Sequence, residues 1–200
     1  MPANGHYDNR LGLPVTTLLR TAIDIARLRP LPEALIVGDA VARQLVGERA
    51  GRQAYLAAAN RTSVRDRMAG EAEDAAGLLS VEAARRISGL VDPAAESAPE
   101  SLARGYIIEA GLARPEVGSR VVGASGSVYF ADMLWPDHRL ILEIDGRVKY
   151  TDPKALFREK VREDDLREAG FLVIRWTASA LITNPGWLIH RLADVLPRRA

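Results

Sequence analysis

The spacing of apolar residues changes from helical to strand-like along this chain, and that change restricts its fold class. Before residue 91, apolar residues recur every three or four positions, as in Leu18–Ala26 and Ala34–Leu45, which is the spacing of one buried helix face. After residue 120, the apolar runs are short and rich in β-branched and aromatic residues, as in Phe171–Trp176, which is typical of strands. We therefore predict an α/β fold, with a mixed sheet flanked by helices and an N-terminal helical region.

A small, polar stretch separates the two patterns. Val91–Ala98 (VDPAAESA) contains Pro93, which would end the preceding helix. We therefore predict a helical accessory region at 1–94, whose first ten residues are a polar tail, and an α/β domain at 95–200. Thr16 or Thr17, Ser80 and Asn184 are expected to cap helices, and Trp176 and Trp187 are expected to lie in the core. The expected elements of the second domain are a helix capped by Ser97, strands at 121–122, 127–135, 139–145 and 171–176, and helices at 153–169 and after Asn184.

Composition excludes several classes of protein. The chain has no cysteine, so disulfides and thiolate metal sites are absent. No apolar run reaches the ~18 to 20 residues of a membrane span, and Met1–Arg10 lacks the apolar core of a secretory signal. We expect a cytoplasmic protein without a membrane partner. Because the formal net charge is only +1, a DNA-binding surface would have to come from local basic clusters.

Two or three carboxylates are expected to converge on one face of the sheet. Side chains alternate along Arg139–Asp145 (RLILEID), so Glu143 and Asp145 share a face. If an even-numbered turn joins this strand to 127–135, Asp132 lies opposite Glu143, with Cβ atoms ~4.5 to 5.5 Å apart. Charges that close raise each other's pKa unless a cation lies between them. Mg²⁺, which takes oxygen ligands, is the candidate cation.

A purely structural role for these acids is the alternative interpretation. Acidic residues are common at strand ends, and Asp145-Gly146 is an ordinary turn dipeptide. Glu100 follows Ser97 in an S-x-x-E pattern, which predicts a capping box rather than a site. Against this, an acid within an apolar strand needs a partner, and Asp132 is such an acid.

Three segments of roughly residues 95 to 197 together resemble a known family. They are Phe130-Ala131-Asp132, the run RLILEIDG from Arg139 to Gly146, and the pattern R-x-x-D-L-R-x-A-G-F-x-V-I-R-W from Arg162 to Trp176. The set is similar to bacterial proteins related to the very-short-patch-repair (Vsr) mismatch endonucleases, of the PD-(D/E)XK restriction-endonuclease-like superfamily. The resemblance implies that superfamily's fold and a hydrolase activity, the Mg²⁺-dependent cleavage of DNA phosphodiester bonds, with Mn²⁺ as an alternative metal.

The resemblance also implies roles for individual residues. Asp132 and Glu143 match the two metal-binding catalytic acids. Asp145 stands where the superfamily name has lysine, and related sequences tend to read E-x-D-G followed shortly by histidine. Lys149 stands near that histidine position. It would supply positive charge to the attacking water or the transition state, or else mark an inactive site.

Basic and acidic residues alternate in the helix expected at 153–169, and two interpretations are open. One is a solvated, ion-paired helix face. The other is contact with DNA phosphates. The candidate nucleic-acid-binding residues in and before this helix are Arg147, Lys154, Arg158 and Arg162. The residues expected to support the carboxylates are Glu100, Asp165 and Arg175.

Three possibilities follow from these patterns. The first is a metal-dependent DNA endonuclease. The second is a non-catalytic DNA-binding or regulatory protein, antitoxin-like or a prophage remnant, that keeps the nuclease fold. The third is a purely structural α/β interaction module. Similar proteins often carry an N-terminal winged-helix segment, and this chain starts downstream of where such a segment would lie. The expected partners are therefore DNA and either a second copy of the chain or a separate winged-helix protein.

Overall fold

A computed structural model describes residues 7–47, 49–146 and 153–197, with side chains from residue 157 in the last range. The chain forms two compact units, one ending at Ala94 and one beginning at Ala95. In the described ranges, no helix is long and apolar enough to cross a bilayer.

The first unit is a small hairpin followed by helices. The hairpin strands β1 and β2 pair in antiparallel fashion, with Tyr7 opposite Thr16, and every residue of both strands is exposed. The elements are β1 (Tyr7–Arg10), β2 (Leu13–Thr16), α1 (Leu18–Leu28), α2 (Leu31–Val46), α3 (Arg52–Leu56), α4 (Ala58–Asp74) and α5 (Val81–Ser88). The prediction of a tail up to residue 10 is therefore wrong for residues 7–10. The hairpin forms its own sheet and adds no strand to the larger one.

The predicted helix starts of this unit are partly correct. Thr17 caps α1, its side-chain oxygen accepting a hydrogen bond from the Arg20 amide at 3.1 Å. Ser80 precedes α5 but does not cap it with its side chain. Its left-handed backbone (φ 61°) differs from the extended conformation of a capping residue.

The second unit is a mixed α/β structure around a four-stranded sheet. Its strand order is β3-β6-β7-β8, in which β6 and β7 are antiparallel and β7 and β8 are parallel. A separate two-stranded ribbon pairs β4 with β5. The elements are α6 (Ala98–Glu109), β3 (Glu116–Val117), β4 (Arg120–Val122), β5 (Val128–Phe130), β6 (Met133–Trp135), a 3₁₀ turn (Pro136–His138), β7 (Leu140–Asp145), α7 (Pro153–Glu168), β8 (Leu172–Thr177), α8 (Ala178–Thr183) and α9 (Pro185–Ala193).

The two faces of this sheet bury different clusters. Leu140, Leu142 and Ile144 of β7 pack in a core that includes side chains of α6, α8 and α9. Ile141, on the opposite face, packs with Leu166 of α7 and with residues of β4 and β8. The predicted alternation along β7 is therefore confirmed, and Glu143 and Asp145 extend from the face covered by α7.

The predicted continuous strand at 127–135 is wrong. It is two strands, β5 and β6, which belong to different sheets and are separated by Ala131 and Asp132. The break is held by backbone hydrogen bonds from the Ala131 amide to Ser119 and from the Gly118 amide to Asp132. Asp132 therefore lies at a bend, and Val128 and Phe130 are exposed rather than part of a buried face.

Two expectations near the C-terminus also fail. Trp187 is 67% exposed, so it is not a core residue, whereas Trp176 packs against the α6–α9 core. Asn184 precedes α9 without making a side-chain cap. Its backbone is shared with the end of α8, a helix that the apolar pattern did not indicate.

Candidate active site

Asp132 and Glu143 face each other at one end of the β6–β7 pair. The register pairs Met133 with Leu142, so the next position along each strand brings Asp132 opposite Glu143, as the even-numbered turn predicted. The Ile144 amide donates a hydrogen bond to Oδ2 of Asp132 at 2.8 Å. This bond fixes the Asp132 carboxylate against β7 although Asp132 itself lies outside a strand.

Burial dominates the electrostatics of this pair. Glu143 is only 7% exposed, and burial, followed by the charge of Asp132, raises the pKa of Glu143 to about 7. Burial also raises the pKa of Asp132, against the opposing effect of the Ile144 amide. The charge of Asp132 therefore disfavours the ionised form of Glu143.

A guanidinium group from α7 engages Glu143. Nη2 of Arg162 lies 2.9 Å from Oε1 of Glu143, and Nη1 lies 3.3 Å from Oε2. Nη2 also donates to the Phe130 carbonyl at 2.8 Å, and the guanidinium lies 5.7 Å from the Tyr129 ring centroid. Arg162 was a candidate for DNA contact, and in the structure it is an ion-pair partner of a candidate catalytic acid.

Asp145 belongs to a neighbouring ion-pair network centred on Arg175. Nη1 of Arg175 lies 3.7 Å from Oδ2 of Asp145 and contacts Glu159, and its Nε lies 2.9 Å from Glu163. Arg175 was expected to orient a carboxylate, and it contacts three. Glu159 and Glu163 were missed, although their i, i+4 spacing on α7 places them on one side of that helix.

Glu100 approaches the pair from α6 while completing a helix cap. Oε1 accepts from the Ser97 hydroxyl at 2.6 Å, and Oε2 accepts from the Glu96 amide at 2.8 Å. Burial raises the pKa of Glu100, and the charge of Asp132 adds to that shift. Glu100 thus caps α6, as the S-x-x-E pattern predicted, and its carboxylate also lies close enough to Asp132 for their charges to interact.

Asp165 stabilises the turn between β4 and β5 instead of supporting the carboxylates of the site. Its Oδ1 accepts from the Ser125 amide at 2.7 Å, and its Oδ2 accepts from the Ser125 hydroxyl at 2.9 Å. These bonds, the amide bond first, lower the pKa of Asp165. A Cβ atom at Gly123 would overlap the Asp165 carboxylate, so α7 and the β4–β5 turn are closely packed at this point.

The remaining candidates are less well placed or lie elsewhere. Arg158 is exposed on α7. Arg147, Lys149 and the side chain of Lys154 lie outside the described residues. The structure therefore brings together Asp132, Glu143, Asp145, Glu100, Arg162 and Arg175, with Asp165 at a different point of α7.

The donor chemistry of the Asp132–Glu143 pair fits Mg²⁺ or Mn²⁺. Both ions take hard oxygen ligands, and Mg²⁺ is usually held by one or two carboxylates, waters and substrate phosphates. Among the residues that the structure describes, Oδ1 of Asp132 accepts no hydrogen bond. No three His, Cys, Asp or Glu side chains form a metal-holding group in the same ranges, so this part of the chain offers a pair of ligands rather than a closed cage.

Comparison with known proteins gives relatives without an assigned activity. The chain is 29% identical over 178 residues to the uncharacterized proteins MT2308 and Rv2248 of two Mycobacterium tuberculosis strains. The aligned region is 89% of this chain and 60% of each relative, so the chain spans less than two thirds of their length. No protein-family model matches the chain, and no solved structure matches it significantly.

Proposed function

We propose that the second unit is a metal-dependent DNA endonuclease domain of the restriction-endonuclease-like fold. The observation that carries the proposal is the opposed pair of carboxylates, half-buried Asp132 and buried Glu143, with Asp132 fixed by the Ile144 amide at one end of the mixed sheet. Two like charges that are partly removed from water cost stability. Binding of a cation between them would offset that cost.

Asp132 and Glu143 would hold the metal ion, Mg²⁺ or Mn²⁺. When bound, such an ion lowers the pKa of a water ligand and offsets charge on the scissile phosphate. The Ile144 amide orients the Asp132 side chain by donating to Oδ2. Oδ1 would then be the oxygen that binds the metal ion. Arg175 holds Asp145 beside the pair, where Asp145 or Lys149 would position the attacking water.

DNA phosphates would be contacted by basic residues at the start of α7 and before it. Arg158 is exposed there, and Arg147, Lys149 and Lys154 complete the candidate set. Each phosphate neutralised makes binding more sensitive to salt. We propose a cytoplasmic location, with DNA and either a second copy or a winged-helix protein as partners.

One contact favours the second candidate function, a non-catalytic DNA-binding or regulatory protein. Arg162 engages both oxygens of Glu143, and an arginine fork matches a carboxylate well. In that case the guanidinium is the permanent counter-ion of Glu143. The nuclease fold would then be kept for binding alone.

The test is a cleavage assay with supercoiled plasmid and single-stranded DNA in Mg²⁺, Mn²⁺ or EDTA. We expect cleavage with either metal and none in EDTA. Asp132→Asn and Glu143→Gln should abolish it. Asp137→Asn is the matched control, because Asp137 is exposed in the 3₁₀ turn. If wild type cleaves no DNA with either metal, the result favours the non-catalytic DNA-binding or regulatory function.

A further inference from the structure

The Arg162 guanidinium contacts both oxygens of Glu143, one of the two carboxylates that would hold the metal ion. Both Glu143 oxygens are within 3.3 Å of its nitrogens. Asp132 has only one oxygen, Oδ2, committed to a protein donor among the described residues. A cation could therefore reach Asp132 directly. At Glu143, whose side chain is 9% exposed, Arg162 takes one acceptor site on each oxygen, so a cation that approaches from the same side would displace part of that contact.

We propose that Arg162 is an internal cation that covers the carboxylate pair in the metal-free protein and releases Glu143 when a divalent cation binds. The proposal rests on the proposed function, because it concerns the regulation of the same site. It assigns Arg162 a positioning role, which differs from the direct phosphate contact expected for it.

Arg162 has two further contacts that do not involve the carboxylate pair, and these would hold it in place both with and without a bound metal ion. The Phe130 carbonyl accepts from Nη2 at 2.8 Å, and the guanidinium stays near the Tyr129 ring. Neither contact uses a carboxylate, so neither competes with a metal ion. On α7, Glu159 and Glu163 are paired with Arg175, and the Arg162 guanidinium makes its two-pronged contact with Glu143 of β7.

Competition for Glu143 makes a directional prediction. Two ligands that exclude each other at one group lower each other's affinity by the same factor. Removing the guanidinium should therefore strengthen cation binding. Because the charge-assisted, two-pronged contact is among the stronger hydrogen-bonding arrangements, we expect Arg162→Gln to bind Mn²⁺ at least about tenfold more tightly than wild type.

The experiment measures Mn²⁺ binding directly, by the electron paramagnetic resonance signal of the free ion and by calorimetry. Wild type, Arg162→Gln and Arg167→Gln are compared without DNA. Arg167 is the control because it lies on the same helix and pairs with Glu163 rather than with Glu143. Its substitution should change Mn²⁺ affinity by less than about twofold, as expected for a screened, more distant charge.

A second measurement uses the unaltered protein, so the test does not depend on the variant folding. The side-chain nitrogen resonances of Arg162 should shift when Mg²⁺ saturates the protein, because the two contacts to Glu143 are lost while the Phe130 contact remains. Two results would overturn the proposal. One is Mg²⁺ binding that leaves those resonances unchanged; the other is an Arg162→Gln protein that folds and binds Mn²⁺ no more tightly than wild type.

The binding data also separate this proposal from the proposed function. Tighter Mn²⁺ binding by Arg162→Gln, with no cleavage by either protein, supports the exchange and contradicts the nuclease. Cleavage by wild type, with unchanged Arg162 resonances on metal binding, supports the nuclease and contradicts the exchange. If neither protein binds Mn²⁺ or Mg²⁺, Arg162 is the permanent counter-ion of Glu143, and both proposals fail.

Discussion

The Ile144 amide donates its hydrogen bond to the Asp132 side chain rather than to a neighbouring strand. At this end of β7, a carboxylate thus replaces a backbone carbonyl as the acceptor. Asp132 is thereby held beside Glu143 without belonging to a strand. Its position depends on one backbone hydrogen bond, which a side-chain amide could also accept.

Asp132→Asn should stabilise the metal-free protein at pH 8. Asparagine keeps an oxygen for the Ile144 amide and removes a half-buried charge that repels Glu143. We expect the free energy of unfolding in EDTA to rise by about 1 kcal/mol, consistent with relief of a like-charge pair, measured by urea denaturation. A loss of stability of similar size would mean that Asp132 has a cationic partner in the metal-free protein.

The Arg162 contact changes the expectation for the other acid. Removing Glu143 relieves the same repulsion, but it also leaves the Arg162 guanidinium without its carboxylate. Losing one partner of a partly buried ion pair is destabilising. Glu143→Ala should therefore gain less stability than Asp132→Asn in the same urea denaturation.

Stability in EDTA should fall as pH rises through about 7. Burial raises the pKa of Glu143 to about 7 in the folded protein, above its unfolded value of about 4.5. Between those values the folded state binds more protons than the unfolded state. The contribution is therefore fully present below about pH 4.5 and is lost as pH rises through about 7.

Glu143→Gln should flatten this pH dependence. Urea denaturation at pH 5.5 and pH 8 should show a smaller difference for this variant than for wild type. Glu109→Gln serves as the control, because Glu109 is exposed on α6. Equal pH slopes for wild type and Glu143→Gln would show that Glu143 does not titrate between these pH values.

Gly123→Ala should destabilise the second unit by about 1 to 3 kcal/mol, the usual cost of overpacking. The new methyl group would overlap the Asp165 carboxylate and press on the Tyr129 ring. Gly70→Ala is the control: a Cβ atom there meets no atom within 4 Å, and alanine favours the helix in which it lies. Thermal unfolding should show opposite shifts, and a neutral Gly123→Ala would mean that α7 and the turn separate easily.

Lys149→Ala should slow cleavage more than it weakens metal binding. A lysine in this position would act on the water or the phosphate, and loss of such a group typically reduces the rate by about 10²- to 10⁴-fold. Cleavage rates at saturating Mg²⁺, with Mn²⁺ affinity measured separately, test this. A large loss of Mn²⁺ affinity with little loss of rate at saturation would assign Lys149 to the metal site instead.

The local pattern predicted the carboxylate pair because β7 is regular. Strict alternation fixed the face of Glu143, and the four positions between Trp135 and Leu140 fixed the register that brings Asp132 opposite it. The break at Ala131 was not predictable in this way. It depends on hydrogen bonds to Gly118 and Ser119, which are distant in sequence and form only when β3 and β4 are in place.

Long-range ion pairs were also beyond the sequence pattern. The charges on α7 indicate a helix face rich in both signs, but they do not specify that Arg162 pairs with Glu143 or that Arg175 pairs with Glu159. Those choices depend on the parallel placement of β8 beside β7, which sets Arg175 opposite Glu143. The exposure of Trp187 was also not predictable, because the apolar stripe of α9 does not determine how much of the first turn of that helix is covered by other elements.

The position of β8 at one side of the four-stranded order has a consequence for self-association. In the described part of the chain, β8 pairs only with β7. On its other side the Arg167 side chain donates to the Val173 carbonyl, and the remaining backbone groups there could template a further strand. An inward-facing charge in an edge strand discourages such pairing, and Arg175 is that charge. Replacing it with an apolar residue would remove this protection, so the protein would be more prone to form aggregates through β8 even where its native fold persists.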